Sequence, residues 1–73
     1  MSEKFTFKDS TEINYSISFE RKWCYIYNER LDKNISLSCE KLPNPHYFPA
    51  TGGILSAEVI SHARTLLKLK AFW

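Results

Sequence analysis

Four side chains in this sequence are of the types that hold soft metals or act as nucleophiles: Cys24, Cys39, His46 and His62. A structural zinc would suit so short a chain, whose core has little area to bury. Zinc modules bring their ligands in close pairs, as in C-x2-C or H-x3-H, whereas fourteen, six and fifteen residues separate successive candidates here. No local element pre-organises any pair, so neither a metal nor a cofactor is expected. Thiol catalysis needs a histidine beside the cysteine, and nothing in the spacing puts His46 or His62 there; cysteines within strands behave as small hydrophobes. H-E-x-x-H, G-x-S-x-G and the Walker loop are all missing, and the carboxylates are scattered as solvated charges, so no enzyme is expected. Thr51-Gly52-Gly53 ahead of a helix start could hold an anion against free amides, although two glycines before a cap are more often a simple turn.

A second kind of chemistry is recognition. Trp23, Tyr25 and Tyr27 recur at every second residue, a spacing that puts all three rings on one face of a strand. Serines alternate nearby at Ser16 and Ser18 and again at Ser36 and Ser38. Tyr and Trp give large contact area at low entropy cost, and small hydroxyls adapt their hydrogen bonds, a mixture favoured on binding surfaces. The plain alternative is that the rings are core or a homodimer interface.

Which of these holds depends on the elements that carry the residues. Phe5 and Phe7 flank Thr6, Asp9-Ser10 favours a turn, and Ile13, Tyr15, Ile17 and Phe19 alternate with polar residues, which predicts a hairpin with one wet face. Trp23 to Tyr27 is apolar or aromatic on both parities, as an inner strand is, and Ile35, Leu37 and Cys39 alternate again. Glu20-Arg21-Lys22 reads either as a tight turn or as a bulge in one long strand. If Arg30 to Lys33 is a four-residue loop, Glu29 pairs with Asn34, Cys24 faces Cys39, and Ile26 faces Leu37. Trp23, Tyr25 and Tyr27 then project from the opposite face beside Ser36, Ser38 and Glu40; a loop one residue longer or shorter buries them. A Cys24 to Cys39 bridge would fit that register in an oxidising compartment.

Pro43, Pro45, Pro49, Gly52 and Gly53 make 42–55 an irregular connector. Ser56 stands where an N-cap should, Glu58 lies in the first turn, and Val59, Ile60, Ala63, Leu66 and Leu67 recur at helical spacing, which predicts a helix over about 57–71. Lys68 and Lys70 suit the negative end of its dipole. The expected fold is therefore α+β: one domain over 1–73, with three or four antiparallel strands within 4–41 and one amphipathic C-terminal helix packed on one face of the sheet.

The 73-residue length leaves no room for a second core, and at this size only about 60% of the unfolded surface is buried, so self-association carries weight. Leu69, Phe72 and Trp73 are expected to pack on the sheet or against a second subunit, making a homodimer a real prospect. A formal charge of +2 is too small to imply nucleic acid by itself. The longest apolar run, Trp23 to Tyr27, cannot span a membrane, and Met1 to Lys8 carries charge where a signal peptide is apolar, so a cytoplasmic protein with reduced thiols is expected.

These readings converge on a small non-catalytic protein-binding module, an inhibitor or adaptor of the kind phages and mobile elements encode. Its expected contact residues are Trp23, Tyr25, Tyr27, Ser36 and Ser38, with His46, Tyr47 and Phe48 of the connector as a second candidate set. The competing reading is a single-stranded nucleic-acid binder. It would stack bases on the same rings and meet phosphates with Arg21, Lys22, Arg30 and Lys33.

Overall fold

The computed structural model describes residues 4–47 and 49–70, with the backbone alone at Lys70. Four strands, β1 (Lys4–Lys8), β2 (Asn14–Glu20), β3 (Trp23–Asn28) and β4 (Lys33–Ser38), form an antiparallel meander in the order β1-β2-β3-β4, and α1 (Ala57–Lys70) follows. This is the α+β architecture that the alternation and the single helical period predict.

The helix covers one sheet face. Tyr15, Ile17 and Phe19 of β2, Cys24 and Ile26 of β3 and Leu37 of β4 point into the core and meet Val59, Ile60 and Ala63 of α1. Leu42 and Leu55 enter from the connector, and Phe5, Phe7, Ile35, Leu66 and Leu67 close its margins. Full burial of a side chain such as Ile17 or Ile26 stabilises by about 1.5–3 kcal/mol, so these alternating positions set which face turns inward.

Each hairpin connection solves its geometry differently. Between β1 and β2 the buried Asp9 substitutes for a regular turn: its Oδ1 accepts from the Thr11 and Ile13 amides at 2.9 and 3.0 Å and from Thr11 Oγ1 at 2.7 Å. Arg21-Lys22 is a two-residue turn between the paired Glu20 and Trp23, so this segment is neither a bulge nor a continuous strand. Between β3 and β4 the loop is Glu29 to Asp32, because Asn28 pairs with Lys33.

This last point corrects the expected register. Cys24 stands opposite Leu37, not Cys39, and Ile26 opposite Ile35, a slide of two residues in the pairing. Asn28 is the cause: its Oδ1 accepts from the Leu31 amide at 3.1 Å while its Nδ2 donates to the Ile54 carbonyl at 2.7 Å, which starts the loop one residue early. A two-residue slide preserves side-chain parity, so the rings of Trp23, Tyr25 and Tyr27 stay on the face away from the helix.

Gly52 and Gly53 lie at φ 63° and 82°, a left-handed pair that lets the connector turn sharply into the helix. Ser56 caps α1, its Oγ accepting from the Val59 amide at 3.3 Å. Arg64 binds the connector to the helix, with Nε on the Leu42 carbonyl at 2.6 Å and Nη2 on the Tyr47 carbonyl at 3.1 Å.

Candidate functional site

On the sheet face opposite the helix, β3 carries Trp23, Tyr25 and Tyr27 in a row. The register gives each ring two lateral neighbours. Tyr25 lies between Ser18 and Ser36, Tyr27 between Ser16 and Asn34, and Trp23 between Glu20 and Ser38. Beyond β2 the same face continues to Lys4, Thr6 and Lys8 of β1. Ser36 and Ser38 therefore join the row as expected, each one ring further along than expected; Glu40 lies beyond the end of β4.

Trp23 is 48% exposed, whereas Tyr25 and Tyr27 are half-buried against their neighbours. Tyr27 donates from its hydroxyl to Asp32 Oδ1 at 2.6 Å. That bond, with desolvation and the charges of Asp32 and Glu29, raises the Tyr27 phenol above its ordinary value of 10. The row is thus anchored at one end by the β3–β4 loop and ends at the other in an indole open to solvent.

The cations named as a phosphate rim divide between the two ends of the sheet. Arg21 and Lys22 sit in the β2–β3 turn, where Lys22 lies 3.8 Å from Glu40. Arg30 belongs to the opposite end and donates to the Thr11 carbonyl at 3.3 Å. Lys33 shares the side-chain parity of Ile35 and Leu37, the face away from the rings.

The second candidate set does not assemble into a comparable surface. His46 is exposed, and its amide donates to Asn44 Oδ1 at 2.9 Å. Tyr47 is half-buried and contributes a carbonyl to Arg64, so it is less open than expected. Phe48 lies outside the described residues. Of the proposed subunit contacts, Leu69 is 53% exposed, and Phe72 and Trp73 lie outside the described residues.

The soft ligands form no metal cluster, although the two cysteines lie near one another: among the described residues no three His, Cys, Asp or Glu side chains gather where they could hold a metal ion. His62 stacks on Phe7, ring centroids 4.4 Å apart, at the mouth of an open groove of about 440 Å³ lined also by Glu58, Ser61 and Thr65. Neither cysteine is in a disulfide. Burial, followed by the nearby Cys39, pushes the Cys24 thiol up to about 12, which leaves it protonated and inert as a nucleophile at neutral pH.

The residues that sequence reasoning missed are polar and buried. Asp9 reaches across to the helix: besides its own loop, its carboxylate lies beside the hydroxyl of Ser56, the capping residue. Burial pulls its carboxyl upward, but the bonds from Thr11 and Ile13, with the Ser56 hydroxyl, outweigh that and hold it below its ordinary value. With Glu58 in the first turn, the chain's own carboxylates stand at the helix N-terminus where a bound anion would otherwise be sought. Asp9 followed by Ser10-Thr11 is the one sequence signal for this, an Asx turn.

No family model, curated protein or solved structure matches the chain. No helix among the described residues is long and apolar enough to cross a membrane.

Proposed function

We propose that this chain is a non-catalytic protein-binding module that recognises its partner through the open face of the sheet, centred on Tyr25. The observation that carries this reading is the row Trp23-Tyr25-Tyr27, bordered by Ser16, Ser18, Ser36 and Ser38, on a face that the helix leaves uncovered while the opposite face already supplies a complete core. Aromatic rings set among small hydroxyls give contact area and adaptable hydrogen bonds without buried charge. Occlusion of another protein's surface, as an inhibitor or adaptor works, fits so small a chain, and a cytoplasmic setting fits its unbridged thiols.

The nucleic-acid alternative needs a continuous basic track beside the rings. Lys4 and Lys8 border the face, but Arg21-Lys22, with Lys22 near Glu40, and Arg30 stand at opposite ends, which favours a protein partner.

The test compares wild type with Tyr25→Ala and Ile26→Ala for capture of proteins from lysate, for oligonucleotide binding at low and moderate salt, and for thermal melting. Tyr25→Ala is expected to lose about 2 kcal/mol or more of partner affinity while melting near wild type. Ile26→Ala, its inward neighbour, is expected to lose about 2–5 kcal/mol of stability. Retention of the captured protein by Tyr25→Ala would refute the assigned surface. Oligonucleotide binding that weakens steeply with salt would transfer the same rings to the nucleic-acid reading.

A further inference from the structure

The two outer strands of the sheet are not equivalent. In an antiparallel ladder, residues alternate between those bonded to the neighbouring strand and those whose N–H and C=O point away. The Cys39 amide donates to the Lys22 carbonyl at 2.8 Å, so in the observed register Ile35 and Leu37 are the bonded residues of β4, and the main-chain groups of Asn34 and Ser36 point outward. Both residues are exposed, and among the described residues neither meets a further main-chain partner. By the same alternation, the Asp9 amide on the Ile13 carbonyl at 3.1 Å makes Lys4, Thr6 and Lys8 the outward-facing residues of β1.

The two edges differ in charge. β1 carries a lysine on each side of Thr6, the kind of guard that keeps an open edge from pairing. From Asn34 to Ser38, β4 carries no charge and no proline, and its Ile35 is only half-buried at the margin of the core.

We propose that β4 is a pairing edge and that its occupant is β4 of a second copy of this chain. A two-fold axis at Ser36 sets Ser36 against the partner subunit's Ser36, each donating its amide to the other's carbonyl. Asn34 then stands opposite the partner subunit's Ser38, whose amide is directed to the Asn34 carbonyl. The Ser38 carbonyl already accepts from the Lys41 and Leu42 amides at 3.2 and 3.0 Å, so the new ladder ends there. On the core side Ile35, half-buried, stands opposite the partner subunit's Leu37. Within the ladder from Asn34 to Ser38 no like charges oppose one another. The equivalent axis on β1, at Thr6, would set Lys4 against the partner subunit's Lys8, a destabilising pair, so the sequence permits self-pairing at one edge and opposes it at the other. The product is a continuous sheet with both aromatic rows on one face, and it forms whatever those rows bind.

Sedimentation equilibrium of the full chain, from low micromolar concentration upward, tests this together with two substitutions. Ser36→Pro removes the amide at the axis but no β3–β4 bond, since that amide points outward. Ser36→Lys places like charges on the axis. Wild type is expected to dimerise, and both variants to raise the dissociation constant roughly tenfold or more with unchanged circular dichroism; Thr6→Pro, on the guarded edge, is expected to leave the dimer intact. A Ser36→Pro chain that fails to fold leaves the decision to Ser36→Lys. A wild type that stays monomeric overturns the proposal, as does a dimer that Ser36→Lys does not weaken, which would place the contact elsewhere, as at the exposed Leu69.

Discussion

Ser10 and Glu58 join the first hairpin loop to the first turn of the helix: the Ser10 amide donates to Glu58 Oε2 at 3.1 Å, and the Ser10 hydroxyl donates to Oε1. With Ser56 beside the Asp9 carboxylate, this joins the loop and the helix start into one polar unit. The contact closes a long stretch of chain, since the two residues are 48 positions apart. It ties the start of α1 to the loop between β1 and β2.

Ser56→Ala removes the cap and the hydroxyl beside the Asp9 carboxylate together. A loss of about 1 kcal/mol is typical of a cap alone, and the added loss at Asp9 should take this variant beyond Glu58→Ala, which removes only the outer contact. Urea denaturation of the two variants beside wild type checks the order. Equal midpoints for Ser56→Ala and wild type would show that the unit contributes nothing.

Asp9 should give the fold an acid-sensitive step. Its carboxyl is held below the ordinary value of 3.8 in the folded state, so the stabilisation is fully present above that value and is lost as pH falls through the lower folded value. Melting temperature against pH should therefore drop on the acid side of about pH 4. Asp9→Asn should melt lower than wild type at neutral pH and show a shallower acid limb. An unchanged acid limb in Asp9→Asn would assign the step to another carboxylate.

Tyr27 should mark the opposite end of the pH range. The hydrogen bond to Asp32 favours the protonated phenol, so the stabilisation holds below pH 10 and is lost as pH rises through the higher folded value. Absorbance near 295 nm during an alkaline titration should show a late tyrosine step, above the ordinary value of 10. Asp32→Asn removes the charge beside the phenol and should bring that late step down; a titration identical to wild type would mean the bond is not kept in solution.

Local alternation and the single helical period made the strands, the helix and the face of Trp23, Tyr25 and Tyr27 legible in the sequence, because burial on one side of a pleated strand writes itself into every second residue. The pairing register was not legible. It is set by one side chain, Asn28, which bonds forward to Leu31 within its own loop and across to the distant carbonyl of Ile54, and the second bond has no trace in local pattern. Asp9 was hidden for a similar reason. An aspartate beside two hydroxyl residues reads as an ordinary turn, and only the folded chain shows that its carboxylate also meets the cap of a helix from the other end of the sequence. The aromatic face survived the register error because the slide was even; a slide of one residue would have exchanged it with the core.

Arg21 gives the last prediction. It occupies the first position of a two-residue turn at φ 56°, a left-handed conformation in which its Cβ crowds the following carbonyl at a cost of roughly 1–2 kcal/mol. Glycine has no such penalty, and primed hairpin turns favour it at this position. Some of the gain is offset because glycine also loosens the unfolded chain, by roughly 0.5–1 kcal/mol. Arg21→Gly should therefore stabilise by somewhat less than the full strain, on the order of 0.5–1 kcal/mol, which in a chain of this size raises the melting temperature by a few degrees. The guanidinium is exposed and takes part in no ion pair among the described residues, so little is lost with it. Calorimetry of the single variant measures the balance. A melting temperature equal to or below that of wild type would mean that the arginine side chain contributes a contact worth as much as the strain it carries.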